Sequence, residues 1–326
     1  MWIEVFHILG ERLRSFGHDD ATRKVMACAM AENEWFTEED ILQAMEAIRL
    51  DMLDREKLTS WMSSYTPSTT PRRVAVIMAG NIPLVGFFDL LCVVMSGHHC
   101  YLKPSSKDRV LMEYVVSTLR DIESSIPIYT YDANDTYDMA IATGSDEAHR
   151  YFSEHFATTR ALLRGSRHSI AVLRGDESRE ELEGLVKDIT AYSGLGCRSV
   201  SMLFTPRGVC PAIPHCKPHN RKLDNNLRSM RALYTMQGGS FIDYGGFIML
   251  GGEEFPRSLA QVTLREYDDI SEVREWLSTN RDSVQCVVSH DAIAGSVPFG
   301  YAQRPTLTDY ADSVDTMLFL TNKRAK

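Results

Sequence analysis

The chain has 326 residues, 44% of them hydrophobic and 24% charged. That is enough apolar material for one large or two ordinary domains with true cores, and it excludes disordered, collagen-like and coiled-coil classes. With 35 Lys and Arg against 44 Asp and Glu, the formal charge is −9, which argues against non-specific binding to nucleic acid or to an anionic membrane.

The first residues, Met1 to Phe16, lack a basic leading region, and Glu4, Glu11 and Arg12 interrupt their apolar run, so they are not read as a signal peptide. An amphipathic helix is expected from about Thr37 to Leu53. Thr37 and Asp40 resemble a capping box, and Ile41, Met45, Ile48 and Met52 share a face. The stretch Ser63 to Pro71, rich in Ser, Thr and Pro, reads as a linker.

Beyond it the pattern alternates. Apolar runs at Val74–Ala79, His99–Lys103, Met139–Thr143 and Ser169–Leu173 read as strands. Between them fall helical patterns at Leu84–Met95, at Val110–Ile122 and from Asp146, followed by another at Glu180–Tyr192. Strands alternating with helices predict a parallel, doubly wound α/β sheet. The apolar stretch from Val74 to Leu102 is not read as a membrane span. Gly80, Asn81, Pro83 and Asp89 interrupt it, and its uncharged part ends at Phe88, short of the ~20 residues a spanning helix needs. Further on, a strand is expected at Ser199–Thr205 and a helix at Asn220–Tyr234. A glycine-rich loop over Gln237–Gly252 is followed by a second α/β unit through Val262–Glu266, Ile270–Leu277 and Val284–Ser289.

Ligands of doubly wound sheets bind at the carboxyl ends of the strands. Here those ends are Gly80-Asn81, Lys103-Pro104-Ser105-Ser106 and Gly144-Ser145. The Asn81 amide can face an oxyanion, or simply serve a turn before Pro83. Gly144-Ser145 opens a helix whose N–H groups can hold phosphate, although no G-x-G-x-x-G accompanies it. Lys103 and Lys107 bring cations beside Ser105 and Ser106.

The seven cysteines are scattered and odd in number, which reads as reduced thiols in a cytoplasm. Cys197, in Gly194-Leu195-Gly196-Cys197-Arg198-Ser199, sits where two glycines let the backbone approach a ligand and Arg198 would favour a thiolate. A buried structural cysteine is the competing reading. Cys210, His215, Cys216 and His219 have a spacing that fits no standard zinc site, and no metal is assigned to them.

Taken in order, these segments resemble the aldehyde dehydrogenase superfamily, and within it the LuxC-type fatty acyl-CoA (acyl-protein thioester) reductases. The resemblance is carried by Val74–Pro83, Ser96-Gly97, Leu102–Asp108, Ala142–Ser145, Gly194–Ser201 and Tyr310–Met317. It implies an aldehyde-dehydrogenase-like fold: a helical segment over 1–62, a dinucleotide-binding domain over 63–170 and a smaller catalytic domain over 171–326.

The resemblance also implies roles. Cys197 matches the nucleophile, and Asn81, with the Cys197 N–H, matches the oxyanion hole. Lys103 matches the lysine that contacts the adenosine ribose, with Ser105 beside it. Ser106 stands where NAD-preferring members often carry Glu, which favours NADPH while leaving NADH open. Gly144 and Ser145 match the phosphate-binding turn. Glu254 matches, loosely, a nicotinamide-ribose glutamate, and Val297–Gly300 echoes a C-terminal Pro-Phe-Gly motif. Leu163 stands where aldehyde oxidisers carry the Glu that activates water. An apolar residue cannot serve as a general base, so exchange with a thiol is favoured over hydrolysis.

The implied activity is reduction of an acyl-CoA or acyl carrier thioester to the aldehyde, with CoA as product or substrate moiety. An acyl-protein synthetase is a partner the resemblance suggests, and a homo-oligomer is compatible with it. A short-chain CoA-acylating aldehyde dehydrogenase and a non-catalytic nucleotide-binding member of the fold are the competing readings. His168 and His290 are candidates for the base that activates Cys197.

Overall fold

Four helices precede the first strand, and three of them begin on a side chain that satisfies their free N–H groups. They are α1 (Trp2–Leu13), α2 (Asp20–Glu32), α3 (Glu38–Asp51) and α4 (Arg55–Met62). Asp19 accepts from Thr22 N, Asp54 accepts from Lys57 N, and Thr37 forms the expected capping box with Asp40. The computed structural model describes residues 1–322 and divides into two compact units. One is residues 1–166 with 305–322; the other is 167–304.

The first unit holds a five-stranded parallel sheet of order β3-β2-β1-β4-β5. Its elements are β1 (Arg73–Ile77), α5 (Phe87–Met95), β2 (His99–Lys103), α6 (Arg109–Ile122), β3 (Ile128–Thr130), β4 (Met139–Thr143), α7 (Asp146–His155) and β5 (Arg160–Arg164). Both faces of β1 are buried, as a central strand of a covered parallel sheet requires. Val74 and Val76 join the core formed by the N-terminal helices, α5 and α6, while Ala75 and Ile77 pack with Phe152 of α7 and Phe156 just after it. The chain leaves β1 toward β2 and β3, then returns to β4 on the other side, so the switch point lies between β1 and β4.

The second unit is a six-stranded sheet of order β11-β6-β7-β10-β9-β8. It contains β6 (His168–Val172), α8 (Arg179–Thr190), β7 (Val200–Pro206), α9 (Arg221–Met236), β8 (Ile242–Asp243), β9 (Ile248–Gly251), β10 (Gln261–Tyr267), α10 (Ile270–Thr279) and β11 (Val284–Val288). All its pairings are parallel except β8 with β9.

The bounds differ from those expected in three places. Residues 1–62 are not separate from the first sheet, because Phe6, Leu9, Ile41 and Leu58 share one core with Val74, Val76 and Leu90. The chain after Pro305 returns to the first unit, where α11 (Thr316–Thr321) lies. Trp61 Nε1 donates to the Tyr310 hydroxyl at 2.7 Å, and the Tyr65 hydroxyl donates to Asp315 Oδ2 at 2.8 Å. The Tyr310–Met317 motif is therefore a structural tie between the chain's two ends. Finally, the glycine-rich stretch read as a loop contains β8 and β9. Gly245 (φ +85°) makes their turn, where a Cβ would fall 2.1 Å from the Cys216 carbonyl oxygen, and Phe247, Ile248 and Met249 are buried. Among the described residues, no helix is long and apolar enough to cross a membrane.

Candidate active site

At the carboxyl edge of the first sheet, two loops pack directly on one another. The ladder continues past β1 through Met78 N donating to Lys103 O at 3.1 Å. Gly80 is buried, and a Cβ there would fall 2.5 Å from the Ser105 side chain, so only glycine lets the Asn81 turn meet the loop after β2. Asp108 fastens the two loops: its Oδ2 accepts from the Leu84 N–H at 2.8 Å and holds Leu84 at φ +55°. Asn81 is partly exposed at the head of this turn.

Lys103, Ser105, Ser106, Gly144 and Ser145 lie along the same edge, so the structure brings this predicted set together. Lys103 is exposed and its Nζ lies 5.9 Å from the centre of the Tyr131 ring. Ser105 Oγ accepts from Lys107 N at 3.3 Å, and Ser106 is exposed. Ser145 caps α7 by accepting from Ala148 N at 3.3 Å. A Cβ on Gly144 would stand 2.7 Å from the Ala148 Cβ, so the turn packs closely on its helix. Thr143, at the end of β4 beside the switch point, buries a hydroxyl oxygen with no hydrogen-bond partner. Sequence reasoning missed Thr143 and Asp108, since a lone Thr or Asp carries no pattern.

Cys197 and Glu254 belong to the second unit. Cys197 is exposed on the loop entering β7, at the amino edge of that sheet. The backbone before it is unusual: Tyr192 (φ 52°), Ser193 (φ 58°) and Gly194 (φ +73°) are left-handed in succession. For residues with a Cβ this conformation costs about 1–3 kcal/mol each, and it persists where surroundings over-determine it. Here Tyr192 and Ser193 are buried, and Asn220 Nδ2 donates to Ser193 Oγ at 2.7 Å. Beyond the run, Ser169 Oγ donates to Cys197 O at 2.9 Å, and Ser199 N to Gly196 O at 2.9 Å. Arg198 donates through Nη2 to Cys286 Sγ at 3.6 Å and through Nε to Ala302 O. These bonds tie Arg198 to β11 and to the segment around Ala302.

Of the two histidines, His168 stands at the same edge as Cys197. Its Nδ1 lies 3.0 Å from Ser201 Oγ, and its ring stacks on Phe255 at 4.2 Å. His290 follows β11 at the opposite, carboxyl edge and pairs with Glu181 at 2.5 Å, so it does not share an edge with Cys197. Glu254 is highly exposed and faces Arg257 at 3.5 Å. Its neighbour Phe255 stacks on the His168 ring. Leu163, on β5, packs against the cluster of Ala75, Ile77 and Ala142. Among the described residues, no three His, Cys, Asp or Glu side chains are grouped to hold a metal ion. Cys216 packs against Gly246, and burial pushes its thiol pKa up.

Two buried carboxyls have pKa values moved by desolvation. Burial holds Asp108 well above the usual carboxylate range, with the Leu84 N–H opposing it. Asp188 on α8 is pushed up to about 6 by burial, against hydrogen bonds from Gly300 and Ala302 and the charges of Arg198 and Lys187. A carboxyl whose pKa is raised on folding favours the fold most when protonated. Its stabilisation is full below about pH 4 and is lost as pH rises through about 6. For Asp188 the swing is about 3 kcal/mol. Urea unfolding between pH 4 and 7 should therefore show a flatter loss of stability with pH in Asp188→Asn than in the parent. Equal slopes would contradict this.

The profile of the family described as Acyl-CoA reductase (LuxC) matches residues 17–210. The long-chain acyl-protein thioester reductase 2 of Photobacterium leiognathi is 22% identical over 180 residues, 49% of this chain and 38% of that protein. The long-chain acyl-protein thioester reductase of Aliivibrio fischeri is 26% identical over 153 residues, 41% of this chain and 32% of that one. The matched segments thus span well under half of these relatives. Among solved structures, an oxidoreductase from Marinobacter aquaeolei superposes with a TM-score of 0.67 at 13% identity, covering 98% of this chain and 83% of that one. An aldehyde dehydrogenase from Bacillus cereus in complex with NAD+ gives a TM-score of 0.57 at 12% identity, covering 88% and 70%. The structural likeness concerns the fold, which is that of the aldehyde dehydrogenases. The profile match spans more than half of the sequence and includes Cys197, and on that ground the chain belongs to the acyl-CoA reductase (LuxC) family.

Proposed function

We propose that this chain reduces a long-chain acyl thioester to the aldehyde through an acyl intermediate on Cys197, with NADPH as hydride donor. The observation that carries the reading is an exposed cysteine on a braced, left-handed loop at a sheet edge, in a chain of an acyl-CoA reductase family.

The Cys197 thiolate attacks the thioester carbonyl, and the departing thiolate takes up a proton. Exchange of one thioester for another is nearly balanced in energy, which suits a cysteine nucleophile. The departing thiol is CoA or a protein thiol, in keeping with the family's description and the names of the curated relatives. The Cys197 N–H and the Asn81 amide are assigned to the oxyanion, which forms when the acyl carbon becomes tetrahedral. Collapse of the thiohemiacetal breaks the C–S bond and returns Cys197 as thiolate with the free aldehyde. The absence of a carboxylate at Leu163 favours this route over hydrolysis to the acid.

The first unit fits a dinucleotide. It offers a switch-point crevice, a buried Thr143 hydroxyl with no partner, the α7 amino terminus behind Gly144, and the exposed Lys103. Lys103 would hold the adenosine ribose, and Ser145 with the first N–H groups of α7 the phosphates. An uncharged Ser106 flanked by Lys107 leaves room for a 2′-phosphate. Glu254 is proposed as a ribose ligand. A bound nicotinamide supplies the hydride.

The test is intact mass after mixing the protein with acyl-CoA of increasing chain length, without reductant. A single acyl adduct on Cys197 is expected, and it should disappear with formation of aldehyde once NADPH is added. Failure of every chain length to form an adduct would refute the reading.

A further inference from the structure

We infer that Asp188 is a positioning residue for Cys197, acting through the segment Phe299–Gln303 that it anchors to the nucleophile's loop. The inference rests on the assignment of Cys197 made above.

Asp188 lies on α8, four residues before the left-handed run begins at Tyr192, and it is 1% exposed. One carboxylate oxygen accepts from Gly300 N at 2.6 Å and the other from Ala302 N at 2.9 Å. The segment also lies directly against the helix. At Gly184, one turn before Asp188, a Cβ would stand 2.9 Å from the Phe299 carbonyl carbon and 3.0 Å from Gly300 N. Gly300 itself has φ +86°. Backbone is therefore held to backbone by a missing side chain and a buried carboxylate.

From this segment two bonds run to the residues that follow the nucleophile. Arg198 Nε donates to Ala302 O, and Gln303 Nε2 donates to Ser199 Oγ at 3.0 Å. Cys197 itself is bonded through its carbonyl to Ser169. Each residue from 197 to 199 thus has a partner outside the loop, and two of the three partners sit on the segment Asp188 fixes. The Cys197 N–H is useful to an oxyanion only when aimed to within a fraction of an ångström. The Cys197 loop alone has no regular hydrogen-bond ladder to aim it.

A carboxylate is suited to this anchor because it accepts two N–H groups at once. Asparagine, of the same shape, offers one acceptor and turns an NH2 donor toward the second N–H. The segment brings no acidic residue of its own, and the charges acting on Asp188 are Arg198 and Lys187.

The test compares the full chain with Asp188→Asn, Gln303→Leu and the double variant. It measures NADPH oxidation with acyl-CoA, the rate of Cys197 acylation by mass, and folding by circular dichroism. Asp188→Asn should lower kcat about ten- to a hundredfold while KM changes less than about twofold. Because both side chains act through one segment, the double variant should lose little more than the worse single variant. A folded Asp188→Asn with the parent's kcat would overturn the inference, as would fully additive losses. If Asp188→Asn does not fold, Gln303→Leu decides. A fall in kcat at constant KM supports the inference, and an unchanged kcat overturns it. A parent protein that forms no acyl adduct would refute the Cys197 assignment itself, a result separable from parent activity that merely ignores Asp188.

Discussion

Serine in place of Cys197 is expected to lower NADPH-dependent turnover of acyl-CoA by at least about 10⁴-fold and to remove the acyl adduct from the mass spectrum. The cause is chemical. A serine hydroxyl is not ionised near neutral pH, and an ester would replace the thioester on which easy collapse to aldehyde depends. Fold and nucleotide binding should survive, because the exposed Cys197 contributes little to the core around Leu185, Val200 and Leu203. Asn81→Ala gives the contrast in the same assay. It should lower turnover by about 10²–10³-fold yet leave a slow acylation of Cys197, since it removes an oxyanion donor and not the nucleophile. A Cys197→Ser protein that still acquires an acyl group would move the chemistry elsewhere. An Asn81→Ala protein with normal turnover would leave the oxyanion to other donors.

The largest effect on stability is expected at Arg164 and Asp89. Arg164 ends β5 and is 5% exposed; Asp89 on α5 is 6% exposed. Arg164 Nη1 donates to both Asp89 oxygens at 2.8 and 2.7 Å, and Nη2 donates to Thr316 Oγ1 on α11 at 2.9 Å. One side chain therefore joins a strand, a helix under the sheet and the returning C-terminal segment. Arg164→Met leaves the Asp89 charge buried without its partner and should cost about 3–5 kcal/mol. That is a large part of the stability of an ordinary domain. The double variant Asp89→Leu, Arg164→Met should recover much of the loss, because it removes the charge as well as its partner. Urea unfolding of the three proteins checks this. A single variant as stable as the parent would mean that water or another cation reaches Asp89.

The secondary structure that could be read in advance was that whose cause is local. The capping box at Thr37 and Asp40 is where the sequence pattern put it, and so are β2 and β4, as short apolar runs between helices. The strands β3, β5, β8 and β9 were not legible. Three of them are short or at an edge, and Arg160–Arg164 is flanked by two arginines that mask its apolar centre. Arg164 became a core residue only because Asp89 and Thr316, far away in the chain, lie beside it.

The candidate site divides in the same way. Asn81, Lys103, Ser105, Ser106, Gly144 and Ser145 could be grouped from order alone. In a parallel doubly wound sheet every strand delivers its carboxyl end to one edge, so chain position specifies place. Cys197 could be singled out because two glycines and a cysteine before a strand form a local pattern. The supports of that loop were invisible. Asp188 precedes Gly300 and Gln303 by more than a hundred residues, and nothing in an isolated Asp on a helix shows that two N–H groups will meet it. Glu254 was picked from a loose motif, and it lies exposed beside Arg257.

The sequence by itself thus determined the α/β alternation, the edge at which ligand-facing loops collect and the identity of the exposed cysteine, because period, turn chemistry and the succession of strands and helices can be read locally along the chain. Tertiary structure decided that the C-terminal segment closes the first unit, that Arg164 and Asp89 are buried together, and that the Cys197 loop is held through Phe299–Gln303. Each of these depends on desolvating polar groups against partners distant in the chain, and burial of that kind exists only once the fold has brought them together.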